Sequence, residues 1–186
     1  MTVSQAITER RTIRKFTQEE IPFETLKNLV YFASLAPSAS NIQPLKYKII
    51  TKSDACRMFP YLKWAGYIAP EGDPKEGEEP TAYIVVLADT DIRKSGWEHD
   101  CGASVQNILL GAFEQGIASC WLGAIDRPKI AEEFDIPEKY YIDSVLAFGY
   151  PAEESVAEPK TESIKYYKDE NKKYHIPKRT LEEIII

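Results

Sequence analysis

The run Tyr83-Ile84-Val85-Val86-Leu87-Ala88 is apolar at every position, and a strand written that way has no face left for solvent. It predicts a central strand covered on both sides, so the chain has to supply a layer above it and a layer below. One layer follows directly. From about Trp97 to Gln115, the residues Val105, Ile108, Leu109, Ala112 and Phe113 fall on one helical stripe, with Gly116 placed to end the helix. Ile117-Ala118-Ser119-Cys120-Trp121-Leu122 then returns as a strand, closing a strand–helix–strand unit for which a right-handed crossover is the default.

The flanks read in the same terms. Thr2-Val3-Ser4-Gln5 has capping-box spacing, which predicts a helix from Val3 to Glu9 that delivers Arg10 and Arg11 at its end. A second helix starts at Pro22, carries Leu26, Leu29, Val30, Ala33 and Ala36 at helical spacing, and stops at Pro37. Lys46–Thr51 alternates like a half-buried strand, Pro128–Phe134 is a short helix, and Ser144–Tyr150 is the last clear strand before Pro151. The polar, lysine-rich segment 152–186 reads as an extended C-terminal arm. Residues 62–80 form a long polar loop with Pro70, Gly72, Pro74, Gly77 and Pro80, a length that compact domains usually reserve for a lid or substrate loop. The 186 residues fit one domain.

Composition narrows the function. A net charge of −6 disfavours nucleic acid as a partner. No apolar run approaches the ~18 residues of a membrane span and no leader precedes Thr2, so the expected location is cytoplasmic. Cys56, Cys101 and Cys120 are odd in number and lack C-x-x-C spacing, two of them sit in apolar-periodic segments, and His99 and His175 lie far apart, a pattern that favours buried thiols over a disulfide framework or a metal site. The local exception to the acidic balance is Glu9-Arg10-Arg11-Thr12-Ile13-Arg14-Lys15-Phe16. Arginine forks beside a hydroxyl suit a phosphate, although a basic run can also simply face water. His99-Asp100, at a helix start, reads as capping more readily than as catalysis.

Four further stretches join that run: Pro37-Ser38-Ala39-Ser40-Asn41-Ile42-Gln43-Pro44, the helix pattern D-x-G-x-x-x-Q-N-x-x-L from Asp100, Trp121-Leu122-Gly123-Ala124, and Pro177-Lys178-Arg179. Their order and spacing resemble the nitroreductase family over almost the whole chain. The resemblance implies an α+β fold with a central mixed sheet flanked by helices, an intertwined homodimer with shared active sites, and FMN at the dimer interface. Matched residue by residue, it implies that Arg10, Arg11, Thr12 and Arg14 contact the flavin and that Lys178 and Arg179 are phosphate partners. Pro37, Ser38, Ala39 and Asn41 would lie against the isoalloxazine ring from the second subunit, with Gln43 as a supporting amide. Leu122, Gly123 and Ala124 would pass its N5 edge. Taken alone, Pro37–Asn41 is also an ordinary loop and Gly123 an ordinary strand-end glycine. Leu45 stands where the family often has tryptophan, so acceptor preferences tied to that tryptophan do not transfer.

The implied activity is hydride transfer from NADH or NADPH through flavin N5 to a small acceptor such as a nitroaromatic or a quinone. No protein side chain is needed as a catalyst, because the flavin carries the chemistry. Trp64 and Tyr67 are the aromatic candidates for the substrate side. Two alternatives remain open at this point: a flavin-binding or flavin-handling protein with little NAD(P)H turnover, and a dedicated reductive dehalogenase or ene-reductase on the same scaffold.

Overall fold

The computed structural model describes residues 1–186, the side chain of Lys52 excepted. Its main sheet is built from β1 (Leu45–Ile50), β2 (Ala82–Asp89), β3 (Ala118–Leu122) and β4 (Tyr140–Gly149) in the order β1-β2-β4-β3. Each neighbouring pair is antiparallel. β2 lies inside the sheet with every residue buried, as its unbroken apolar run requires. Alternation along β2 sorts its side chains into two cores. Ile84 and Val86 pack with α2 (Phe23–Ser34) and α4 (Glu98–Glu114); Tyr83, Val85 and Leu87 pack with Met58 of α3 (Lys52–Met58) and Ile130 of α5 (Arg127–Glu133).

α2 and α4 cross closely because Gly111 has no side chain: a Cβ there would lie 2.5 Å from Phe32 Cδ2. α4 ends as expected, with Gly116 in the left-handed region at φ +73°. The expected strand–helix–strand unit is present, but β4 sits between β2 and β3 rather than beside them. α2 ends at Ser34, three residues before Pro37.

α1 (Val3–Glu9) has the expected capping box, with Gln5 N–H donating to Thr2 Oγ1 at 3.2 Å and Thr2 N–H to Gln5 Oε1 at 2.8 Å. The chain then runs extended along the β3 edge. Thr12 forms a parallel bridge with Ser119, Phe16 an antiparallel one with Pro151, and Ile13 and Phe16 are buried with Ala118. The fold class is α+β.

The C-terminal segment differs from the extended arm that its composition suggests. It folds into β5 (Ser155–Pro159), β6 (Tyr167–Lys168) and β7 (Tyr174–Lys178), with β7 central, parallel to β5 and antiparallel to β6, followed by α6 (Leu181–Ile184). Its anchor is one residue, Tyr174, fully buried beside Tyr166 and Arg14. A single buried tyrosine leaves no periodic signal in the sequence. No helix is long and apolar enough to cross a membrane among the described residues.

Candidate active site

The cationic run is an added edge strand, so its side chains are dealt to different sides. Arg14 lines a cleft of about 580 Å³ together with Lys63, Trp64, Cys120, Leu122, Gly123 and Ala124. Its guanidinium carbon sits 5.0 Å from the Tyr166 ring centre and 5.3 Å from that of Tyr174, and its Nη1 is buried without a hydrogen-bond partner. A buried, unpartnered guanidinium nitrogen is costly unless something else accepts its proton. Arg10 and Arg11 line a neighbouring cavity of about 320 Å³ with Ser119, Pro151, Glu153 and Ser155. Arg11 donates to the carbonyls of Arg10 and Thr8, tying it to the end of α1, whereas Arg10 has no carboxylate partner among the described residues. Burial first, and then the adjacent Arg11 charge, pull the Arg10 pKa below its ordinary value. An anion bound there would relieve both penalties.

Glu153, which the sequence did not single out, lines the Arg10 cavity and holds the backbone at Arg14. Its Oε1 accepts the backbone N–H groups of Arg14 at 2.7 Å and Lys15 at 3.3 Å, and its Oε2 lies 3.5 Å from Lys168 Nζ. A buried carboxylate thus fixes the backbone of the run and ties it to β6. No sequence signal marks it, since 139 residues separate Glu153 from Arg14. Burial raises the Cys120 thiol to about 11, so it is protonated at neutral pH and inert as a nucleophile.

Gly123 is exposed, a Cβ on it would meet nothing within 4 Å, and its φ is not positive. Neither strain nor crowding within this chain requires a glycine there. The exposed backbone of Gly123–Ala124 therefore leaves room for a ligand in the Arg14 cleft.

The Pro37–Gln43 segment is elsewhere. It leads into β1, the opposite edge of the sheet from β3, three strand spacings or roughly 14 Å away. Pro37, Ser38 and Gln43 line a separate cavity of about 180 Å³ with Tyr47, Asp100 and Ser104. Ala39 and Asn41 sit in a single irregular turn of which Ser40, Asn41 and Gln43 have φ of 52°, 55° and 55°. The two groups of expected site residues thus lie at opposite sheet edges.

The model of the family described as "Nitroreductase family" matches residues 7–150. The chain belongs to the nitroreductase family. A protein of Archaeoglobus fulgidus, provisionally named NADH dehydrogenase/NAD(P)H nitroreductase, is 33% identical over 152 residues, covering 78% of this chain and 83% of that one. An FMN reductase [NAD(P)H] of Bacillus subtilis is 27% identical over 180 residues, 85% of this chain and 69% of its own. Among solved structures, a nitroreductase family protein of Clostridium difficile 630 superposes with a TM-score of 0.73 over 100% of this chain and 98% of that one, at 19% identity.

Against this nitroreductase scaffold, the remaining expected site residues divide. Thr12 is half-buried at its bridge to Ser119. Lys178 ends β7, its carbonyl accepting Lys160 N–H at 2.8 Å, and Arg179 lies 3.7 Å from Glu183; neither lines the cavities that hold Arg10, Arg11 and Arg14. Trp64 lines the cleft yet belongs to the core, 8% exposed and stacked on Phe59 at 5.7 Å. Tyr67 is 57% exposed, with its ring 4.9 Å from that of Tyr166.

These placements separate the two aromatics experimentally. Trp64→Ala is expected to cost about 3–5 kcal/mol of stability, the usual result of emptying a buried indole site, and to lower the unfolding midpoint in urea. Tyr67→Ala is expected to leave that midpoint within about 0.5 kcal/mol while changing turnover of nitroaromatic and quinone acceptors unequally. Equal changes for all acceptors would remove Tyr67 from the acceptor side.

Proposed function

We propose that this chain is an FMN-dependent oxidoreductase that takes hydride from NADH or NADPH and passes electrons to a small acceptor, such as a nitroaromatic or a quinone, at a site shared by two copies. Family membership supports NAD(P)H-dependent oxidoreductase chemistry, and Arg14, which lines the cleft beside Gly123–Ala124 and leaves its Nη1 without a hydrogen-bond partner, is the observation that carries the cofactor assignment. When bound, FMN supplies the hydride-accepting N5 and the redox change. The residues present fit it. Arg10, Arg11 and Arg14 supply cationic donors for the phosphate, with Arg14 held against two tyrosines, and Gly123–Ala124 supplies exposed backbone. The Tyr166 and Tyr174 rings hold the Arg14 guanidinium by cation–π attraction.

One chain holds only half of the surroundings expected for the ring, because Pro37–Gln43 is at the far sheet edge. A second copy related by a two-fold axis brings each Pro37–Gln43 segment to the other's Arg14 cleft. The surface is suited to such a partner. Val3, Ile7, Tyr31 and Leu35 are 55–73% exposed, and Val3, Phe32, Leu35 and Leu110 line an apolar groove of about 350 Å³.

The direct test is the visible spectrum of the purified protein incubated with FMN, recorded anaerobically before and after NADH or NADPH. A bound-flavin spectrum that bleaches on addition of nicotinamide and returns on addition of an acceptor is the expected result. A bound flavin that stays oxidised would identify a flavin-binding protein without this turnover, and failure to bind FMN would end the cofactor assignment.

A further inference from the structure

Asp100 is a buried carboxylate, 4% exposed, in the first turn of α4, and it takes part in no ion pair among the described residues. Its hydrogen bonds are to the Pro37–Gln43 segment. Ser38 Oγ–H donates to Oδ2 at 2.6 Å and Ala39 N–H to Oδ1 at 3.2 Å, while Ser38 Oγ accepts Gln43 N–H at 2.9 Å. Gln43 Nε2 in turn donates to the carbonyl of Asn41 at 3.1 Å and to its Oδ1 at 3.0 Å. The chain of bonds therefore starts at Asp100 and ends at the two amides of the loop.

The loop needs an external hold. Ser40, Asn41 and Gln43 all take left-handed backbone angles, a region non-glycine residues seldom occupy, so the geometry is set by what binds the loop rather than by the loop's own preference. The charge on Asp100 is placed to do this, since the N-terminal end of a long helix favours an anion and a carboxylate can accept from both loop donors at once.

We infer that Asp100 is the positioning residue that clamps the Pro37–Gln43 segment through Ser38 and Ala39, holding its amides in the geometry in which they meet the flavin ring of the partner copy. The inference rests on the FMN reading given above for what the segment touches; the clamp itself rests on the hydrogen bonds. Asn at position 100 offers one accepting oxygen where Asp offers two, so it leaves one loop donor facing an N–H₂ group. Ala offers none.

Two measurements separate the parts. In hydrogen–deuterium exchange on the protein without added flavin, Asp100→Asn and Ser38→Ala are each expected to speed exchange across residues 38–43 at least tenfold, with β2 and the body of α4 unchanged. Unchanged exchange in the segment overturns the clamp, and this readout stands whether or not the protein takes FMN. In the FMN-loaded protein, Asp100→Asn is expected to slow anaerobic flavin reduction by NADH or NADPH about a hundredfold, the scale of a 1 Å misplacement at a reacting centre, and to alter the visible circular dichroism of the flavin. FMN affinity should stay within about threefold, because the phosphate cations are on the other half-site. Faster exchange with an unaltered flavin spectrum and reduction rate overturns the positioning role and leaves a purely structural clamp. Failure of the unsubstituted protein to bind FMN removes the flavin role through the parent reading, with the exchange result still deciding the clamp.

Discussion

Riboflavin is expected to bind at least two orders of magnitude more weakly than FMN. The two ligands differ only in the phosphate, and each charge-assisted contact to it is worth about 1.5–3 kcal/mol. Arg10 has no carboxylate partner to lose among the described residues, and Arg14 Nη1 has no hydrogen-bond partner, so neither guanidinium group has to break an ion pair to meet a ligand. The Arg10→Ala/Arg14→Ala variant turns this into a thermodynamic cycle. If the run serves the phosphate, the variant's FMN affinity falls at least tenfold toward that of riboflavin, Arg11 remaining in place, and its riboflavin affinity moves less than tenfold. Fluorescence titration reads all four corners, and the unfolding midpoint shows whether the loss of the Arg14 contacts to Tyr166 and Tyr174 has disturbed the fold. Equal affinity of the unsubstituted protein for the two ligands would remove the phosphate assignment. An equal drop for both ligands in the variant would place these cations at the ring instead.

The second large effect is recovery of activity from two inactive parents. The first parent is the Arg10→Ala/Arg14→Ala variant, and the second is Ser38→Trp, which breaks the bond to Asp100 and fills the space in front of the segment. In a mixed dimer one site carries both lesions and the other carries neither, so co-refolded material is expected to regain FMN binding and NADH oxidation in proportion to the mixed fraction, up to half the unsubstituted activity per mixed dimer. Differently tagged parents allow the mixed species to be isolated and assayed by itself. Isolated mixed dimers without activity, from parents that are each folded, would show that both elements serve a site within one chain.

Much of the architecture is legible because local and global demands agree. The all-apolar run at Tyr83–Ala88 can only be an interior strand, and it is. Thr2 and Gln5 can close a capping box using nothing beyond four adjacent residues, and they do. Gly116 ends α4 in the conformation that glycine takes most easily. The family was legible for a related reason, since its motifs are short stretches that keep their order along the chain.

Where the tertiary structure decided, the controlling contact lay far away in sequence. Arg10, Arg11 and Arg14 read as one cradle, yet bridging of Thr12 to Ser119 and the bonds from Glu153 deal them to two cavities. Trp64 read as an aromatic candidate for the substrate side, and folding makes it both a wall of the cleft and, through its stacking on Phe59, part of the core. Asp100 read as a cap for its own helix, whereas its two oxygens hold a loop some sixty residues earlier. The C-terminal strands escaped notice because one buried tyrosine and a few cross-strand bonds hold them, without an apolar face. Sequence therefore determined which segments become strands and helices and which chemistry the chain inherits, because periodicity and capping act within a few residues. Which side chains share a cavity was decided by strand order and by buried carboxylates, whose partners only folding brings within hydrogen-bond distance.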